Sequence, residues 1–211
     1  HKEFFTSPRM KTKPSLSIRG RGVMINIKDT LIDNQTYVLN FGASLRDNNE
    51  GNPMGFYTYS FSTGPVIDTM EVSGHVLTAE NLEPVKGILV GLHRADSTYD
   101  DSLFRTKPLI RVSRTNGSGH FSIKGVAPGA YRIFALQDGD GDYRFSQRSE
   151  AIAFDTTVYV PYSRPDLRMD TCWRDTVYYD SIKVVPYTHY YPDDIVLRSF
   201  MEPNQDLHLL K

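Results

Sequence analysis

The sequence predicts an all-β fold built as tandem β-sandwiches, and three observations predict it. Helical periodicity is nearly absent, while short alternating runs bounded by Gly, Pro, Asn and Asp recur roughly every 8 to 15 residues. The 211 residues also hold 13 Tyr, 11 Phe and 1 Trp, side chains that favour a pleated, half-buried surface.

The strands follow in order. Ser15 to Arg19, Val23 to Lys28, Thr36 to Ala43 and Phe56 to Ser62 alternate apolar with polar residues and form a first set. Ser62-Thr63-Gly64-Pro65 is a turn-forming joint, which places a domain boundary there. The second set comprises Thr69 to Thr78, Gly87 to His93, Ile110 to Thr115, His120 to Lys124, Tyr131 to Gln137 and Ala151 to Val160. Pro161 to Trp173, with its Pro, Arg and Asp, reads as a connector, and Thr176 to Val185 and Asp194 to Phe200 read as further strands. The expected division is 1–65, 66–160, a connector with a β segment over 161–185, and the start of a further β region over 186–211.

Composition excludes several classes. There are 24 Lys and Arg against 25 Asp and Glu, a formal charge of −1, which argues against a nucleic-acid binder. No apolar run approaches the ~18 residues that a spanning helix needs. Cys172 is the single cysteine, so no internal disulfide framework is expected. No signal peptide stands at His1, and the chain reads as an excerpt of a longer protein.

Two blocks carry family resemblance. Leu31 to Asn40, with Thr36-Tyr37 opening a strand, the Asp47 to Pro53 loop ending in Gly51-Asn52-Pro53, and Phe61-Ser62-Thr63 closing the last strand, resemble the C-terminal half of a bacterial Ig-like domain of the S-layer type. Ser73-Gly74-His75-Val76, Pro84-Val85-Lys86-Gly87, Ser118-Gly119-His120-Phe121 and Pro128-Gly129-Ala130-Tyr131 resemble the signposts of a carboxypeptidase regulatory-like, transthyretin-like sandwich. Each signpost is a turn or strand rule, with Tyr131 and Phe121 expected to face the core. The second resemblance implies a fold and imports no peptidase activity. Together with Ser149 to Phe154 and Val185 to Leu197, the pair is similar to Ig-like lipoproteins of Bacteroidota, which implies a lipid anchor upstream, an outer-membrane location in the cell envelope, and envelope proteins as partners.

The sharpest chemical feature is Asp138-Gly139-Asp140-Gly141-Asp142. Carboxylates at Asp138, Asp140 and Asp142 in a Gly-rich turn match positions 1, 3 and 5 of a calcium loop. Tyr143 at position 6 and Ser149 at position 12 depart from the EF-hand, and Glu150 falls one place late. A solvated hairpin after Tyr131 to Gln137 explains the same residues. No cofactor is expected unless this loop takes calcium, whose role there would be to stiffen the loop rather than to catalyse.

Catalysis finds no constellation. Gly117-Ser118-Gly119 is a turn, not a nucleophile elbow. His75, His93, His120, His189 and His208 lack metal spacing, and Cys172 beside Trp173 has no base partner in sequence. Asp precedes Ser or Thr eight times, where random order gives about three, and seven of these steps continue into Leu, Met, Thr, Val or Ile. That pattern is similar to the O-glycosylation motif of exported Bacteroidota proteins and makes Thr30, Thr69, Ser102, Thr176 and Ser181 candidate modification sites. An Asp-ended turn running into a strand accounts for it equally. The expected function is a non-catalytic envelope scaffold or spacer, the alternatives being a carbohydrate- or peptide-binding module and a calcium-dependent adhesion module.

Overall fold

The computed structural model describes residues 4–20, 22–42, 44–46, 57–173 and 179–202. Gly51-Asn52-Pro53, Thr176, His208 and the side chains of Cys172 and Trp173 lie outside the described residues. Fourteen strands and one short helix are formed among the described residues, in line with the all-β expectation.

The first unit is a three-stranded antiparallel sheet of order β1(Phe5–Ser7), β4(Thr36–Gly42), β5(Tyr57–Ser62), with the hairpin β2(Ser15–Arg19), β3(Gly22–Asn26) beside it. Its core is Phe4, Met10, Tyr37, Leu39 and Phe41. Because successive side chains of a strand point to opposite faces, Tyr37, Leu39 and Phe41 serve this core while Thr36 and Val38 face the other way.

The second unit is a seven-stranded sandwich. One sheet has the order β11(Ile152–Phe154), β10(Tyr131–Leu136), β7(Leu89–Arg94), β8(Arg111–Arg114), and the other β14(Ile195–Ser199), β6(Met70–Thr78), β9(His120–Val126). Between them lie Val72, Val76, Val90, Leu92, Phe121, Ile123, Tyr131, Ile133 and Leu197. Tyr131 and Phe121 both face this core, and the Tyr131 hydroxyl donates to the Ala127 carbonyl at 2.8 Å.

The sheet containing β7 and β10 has a second apolar face. Leu89, Val112, Phe134 and Leu136 point away from the sandwich interior into a separate cluster. Covering them are Phe104 from α1(Leu103–Thr106), Tyr143 and Phe145 from the loop after β10, and Phe5 from β1. The architecture is therefore three layers deep, and β7 is buried at Leu89, Val90, Gly91, Leu92 and His93 in succession.

Two segments depart from expectation. The 161–173 connector is a strand: β12(Tyr162–Trp173) pairs with β13(Tyr179–Tyr191) in a long antiparallel hairpin, from Tyr162↔Tyr191 to Trp173↔Tyr179. Pro161 and Pro165 suggested a connector, but in a two-stranded ribbon each strand has a free outer edge, where the N–H that Pro165 lacks costs no ladder bond. The region expected to open further β structure over 186–211 contributes β14 to the sandwich itself, parallel to β6 with Ile195↔Gly74 through Ser199↔Thr78. Such a parallel partner is distant in sequence and carries no local signal.

Gly74 marks the closest approach in that pairing. A Cβ there would stand 2.1 Å from the Ile195 carbonyl oxygen, a rigid backbone atom. Gly74→Ala is expected to displace β14, raising hydrogen exchange at Ile195 to Ser199 while the β7 and β10 amides stay protected. Unchanged β14 protection would refute the packing described.

Candidate functional site

The Asp138 loop is where sequence chemistry and structure meet, but it is not a bare hairpin. Leu136 ends β10 and Ile152 opens β11, and between them the chain folds back so that Tyr143 and Phe145 roof the outer face of the sheet. Tyr143 takes φ of 63° to do so, a left-handed conformation that bulky residues seldom adopt.

Carboxylates hold this path. Asp138 Oδ1 accepts the amides of Gly141 and Asp142, both at 3.1 Å, and Glu150 accepts Gly139 N on one oxygen and Ser146 N and Gln147 N on the other. One oxygen each of Asp138, Asp140 and Glu150 lies within 4.8 Å of the other two. Asp138 and Glu150 are 9% and 4% exposed, so two of the three carboxylates are walled in by protein.

Of the predicted trio, the fold thus assembles Asp138 and Asp140 and substitutes Glu150 for Asp142. Asp142 turns to Arg144, accepting its backbone amide at 2.8 Å and its guanidinium at 2.7 Å. Glu150 stands at the thirteenth position from Asp138, one past the EF-hand place, because this loop reaches over two aromatic side chains before returning.

Electrostatics single out Asp138. Its Oδ2 is buried without a hydrogen-bond partner, and its closest cation is Arg114, whose Nη2 stands 4.0 Å away. Burial raises its pKa above the ordinary carboxylate value, against the pull of the Tyr143 amide and Arg114. The pKa of Asp140 is lowered, first by the backbone amide of Asp142.

The same loop clasps the first unit. Arg9 Nε donates to the Gly141 carbonyl at 2.7 Å, and the Tyr143 hydroxyl donates to the Thr6 carbonyl at 3.4 Å. On the neighbouring strand, Val112 N donates to Ser7 Oγ at 3.0 Å. Below the joint, Asp68 N donates to Thr36 Oγ1 at 2.9 Å and the Asp68 carboxylate lies 3.7 Å from the buried Arg111.

The other candidates fall as follows. Thr30, Thr69 and Ser102 are exposed and Ser181 is half-buried. The aromatic side chains on the β12–β13 hairpin form a ladder in which Tyr162 stacks on Tyr191 at 5.0 Å and Tyr191 on His189 at 4.3 Å, so the rings occupy one another's faces. His189 Nδ1 lies 3.2 Å from the Asp166 carboxylate and Nε2 2.7 Å from that of Asp193, each carboxylate being the acceptor. These two carboxylates raise its pKa, Asp193 the more strongly. One side of the hairpin exposes Leu167, Met169, Ile182 and Val184.

Comparison with known proteins places the first unit. Residues 1–63 match the bacterial Ig-like domain family model. No characterised protein matches the chain by sequence. Among solved structures, the three-domain backbone pilin of Streptococcus pyogenes is similar over 82% of this chain and 42% of its own, at 10% identity and a TM-score of 0.28. The pilus adhesin of Streptococcus pneumoniae is similar over 86% of this chain and 22% of its own, at 15% identity and a TM-score of 0.30. The chain spans less than half the length of either protein.

His93 has a structural role with a readable pH signature. It is 4% exposed, its Nε2 has no hydrogen-bond partner, and its ring meets Phe134 edge-on at 5.7 Å. Burial, then the charge of Lys107, pushes its pKa from 6.5 down to about 4. Between those values the unfolded chain binds more protons than the native one, so this contribution is full above pH 6.5 and is lost as pH falls toward about 4. Urea unfolding at stepped pH is expected to show that loss, and His93→Gln to flatten it. An equal slope in both proteins would exclude His93 as its source.

Proposed function

We propose that this chain is a non-catalytic segment of a bacterial cell-envelope protein, a rigid spacer or scaffold subunit carried in an outer-membrane lipoprotein assembly. The observation that carries the reading is the pair Phe4 and Phe5. Phe4 immediately precedes β1 and Phe5 opens it, and the two neighbouring side chains part: Phe4 enters the core of the Ig-like unit while Phe5 enters the outer cluster of the sandwich. Ordinary domain interfaces permit relative motion. Here a strand of one unit is part of the other's packing, reinforced by the Thr6, Ser7 and Arg9 hydrogen bonds, so the two units are built to move together.

The Ig-like family match supports an envelope location, as does the fit of the sandwich to the carboxypeptidase regulatory-like resemblance. The Gly119 and Gly129 signposts both fall at reversals with positive φ. Exposed Thr30, Thr69 and Ser102 fit sites of O-glycosylation in an exported Bacteroidota protein, with other envelope proteins as partners.

Asp138 favours a second reading, a calcium-stabilised adhesion or spacer module. One oxygen of this carboxylate is saturated by loop amides while the other is buried without a donor, in a group that includes Asp140 and Glu150. Ca²⁺ takes six to eight oxygens, so these three carboxylates would need loop carbonyls and water to complete the shell. The ion would stiffen the segment that clasps Thr6 and Arg9.

Two experiments follow. Calorimetry of the whole chain should give one transition. Phe5→Ala should cost about 3–5 kcal/mol and separate the melting of the two units, whereas two transitions in the unaltered chain would defeat the rigid-spacer reading. Added Ca²⁺ should raise the melting temperature by mass action, and Asp140→Asn should abolish the rise. A melting temperature indifferent to Ca²⁺ would dispose of the calcium reading and leave the spacer reading standing.

A further inference from the structure

The two units enclose a cleft of about 480 Å³. Asn40 and Thr58 line it from the Ig-like unit, and Lys86, Ser113, Arg114 and Lys124 from the sandwich. The volume lies within the roughly 300–1,000 Å³ typical of small-ligand sites.

Charge distinguishes this cleft from the rest of the molecule. The whole chain is nearly balanced at −1, yet three permanent cations line the cleft and no carboxylate does among the described residues. Arg114 is fixed in place: Nη1 donates to the Gly87 carbonyl at 2.9 Å and the guanidinium lies 5.9 Å from the centre of the Phe5 ring. Its nearest carboxylate, on Asp138, is 4.0 Å away and outside the lining. The side chains of Lys86 and Lys124 are exposed, with no ion pair among the described residues. Like charges converging on one concavity repel, and a bound anion removes that repulsion.

The neutral lining indicates which anion. Among the described residues, Phe5, which is 9% exposed and committed to the outer cluster, is the only apolar side chain that lines the cleft. A peptide's apolar side chains would meet only Phe5 and the carbon stems of polar and charged side chains. Asn40, Thr58 and Ser113 each present groups that donate and accept hydrogen bonds, the complement of sugar hydroxyls.

We infer that the inter-unit cleft binds an acidic oligosaccharide, with Lys86, Arg114 and Lys124 meeting its carboxylates and Asn40, Thr58 and Ser113 its hydroxyls. This capture is ionic. It is independent of the spacer reading, since a rigid spacer with an idle cleft remains a spacer.

Titration calorimetry of the whole chain with tetragalacturonate, neutral tetragalactose and tetraglutamate tests it. Tetragalacturonate should bind, more weakly as salt rises. Neutral tetragalactose should give no heat, and tetraglutamate should bind at least tenfold more weakly. The double variant K86A/K124A, altered only at exposed positions, should lose about tenfold in affinity with an unchanged melting temperature. Tetraglutamate binding as tightly as tetragalacturonate would overturn the saccharide assignment in favour of an acidic peptide. Absence of tetragalacturonate binding, or equal affinity in K86A/K124A, would overturn the site.

Discussion

A sheet with two apolar faces governs this molecule. Along β10, Ile133 and Ala135 serve the sandwich core while Phe134 and Leu136 emerge on the far side, and β7 does the same with Val90 and Leu92 against Leu89. Exposed to water, that far side would forfeit on the order of 1.5–3 kcal/mol for each large side chain left unburied. It is closed by three unrelated pieces of chain: a one-turn helix, a long loop and the first strand of the preceding unit. The Ig-like unit is thus more than a neighbour, because the sandwich finishes its own packing with that unit's Phe5.

The roofing loop explains the acidic run. To lay Tyr143 and Phe145 flat on the sheet, the backbone from Gly139 to Gln147 must leave regular pairing, and its amides need other acceptors. Asp138, Asp140, Asp142 and Glu150 supply them, each taking at least one amide. Acidic residues are therefore required by the loop's backbone accounting before any ion is considered. What that accounting leaves over is Asp138 Oδ2, the oxygen on which the proposed calcium reading rests.

Much of this was legible from residue order. Strands that meet water on one side, such as Met70–Thr78 and His120–Val126, alternate cleanly, and the Gly and Pro signposts fall where the chain reverses. Strand β7 was legible as a strand but not as one buried on both sides, since Leu89 to Leu92 reads the same in either case. β1 is three residues long, and its significance lies in a Phe-Phe step that periodicity does not interpret. The 162–173 arm of the hairpin was hidden by a proline that a free edge tolerates, while β14 was legible as a strand but its place in the sandwich was not, its partner lying about 120 residues upstream. In the carboxylate loop, counting against the EF-hand found Asp138 and Asp140 but rejected Glu150, which only the fold-back over Tyr143 and Phe145 brings home. The cationic cleft had no sequence signature, because Lys86, Arg114 and Lys124 belong to separate segments.

The parallel alignment of β6 and β14 has a mechanical side. β6 is the strand by which the chain enters the sandwich and β14 the one by which it leaves, and they run in the same direction over five paired positions. A pull on the two ends of the unit drags these strands in opposite senses along their length. All the hydrogen bonds between them are then loaded at once in shear, where an antiparallel pair pulled from one end would open bond by bond like a zipper. In a chain under tension the sandwich would yield at this seam only by breaking the whole ladder together, so the geometry of its first and last strands sets how much force the segment transmits before it extends.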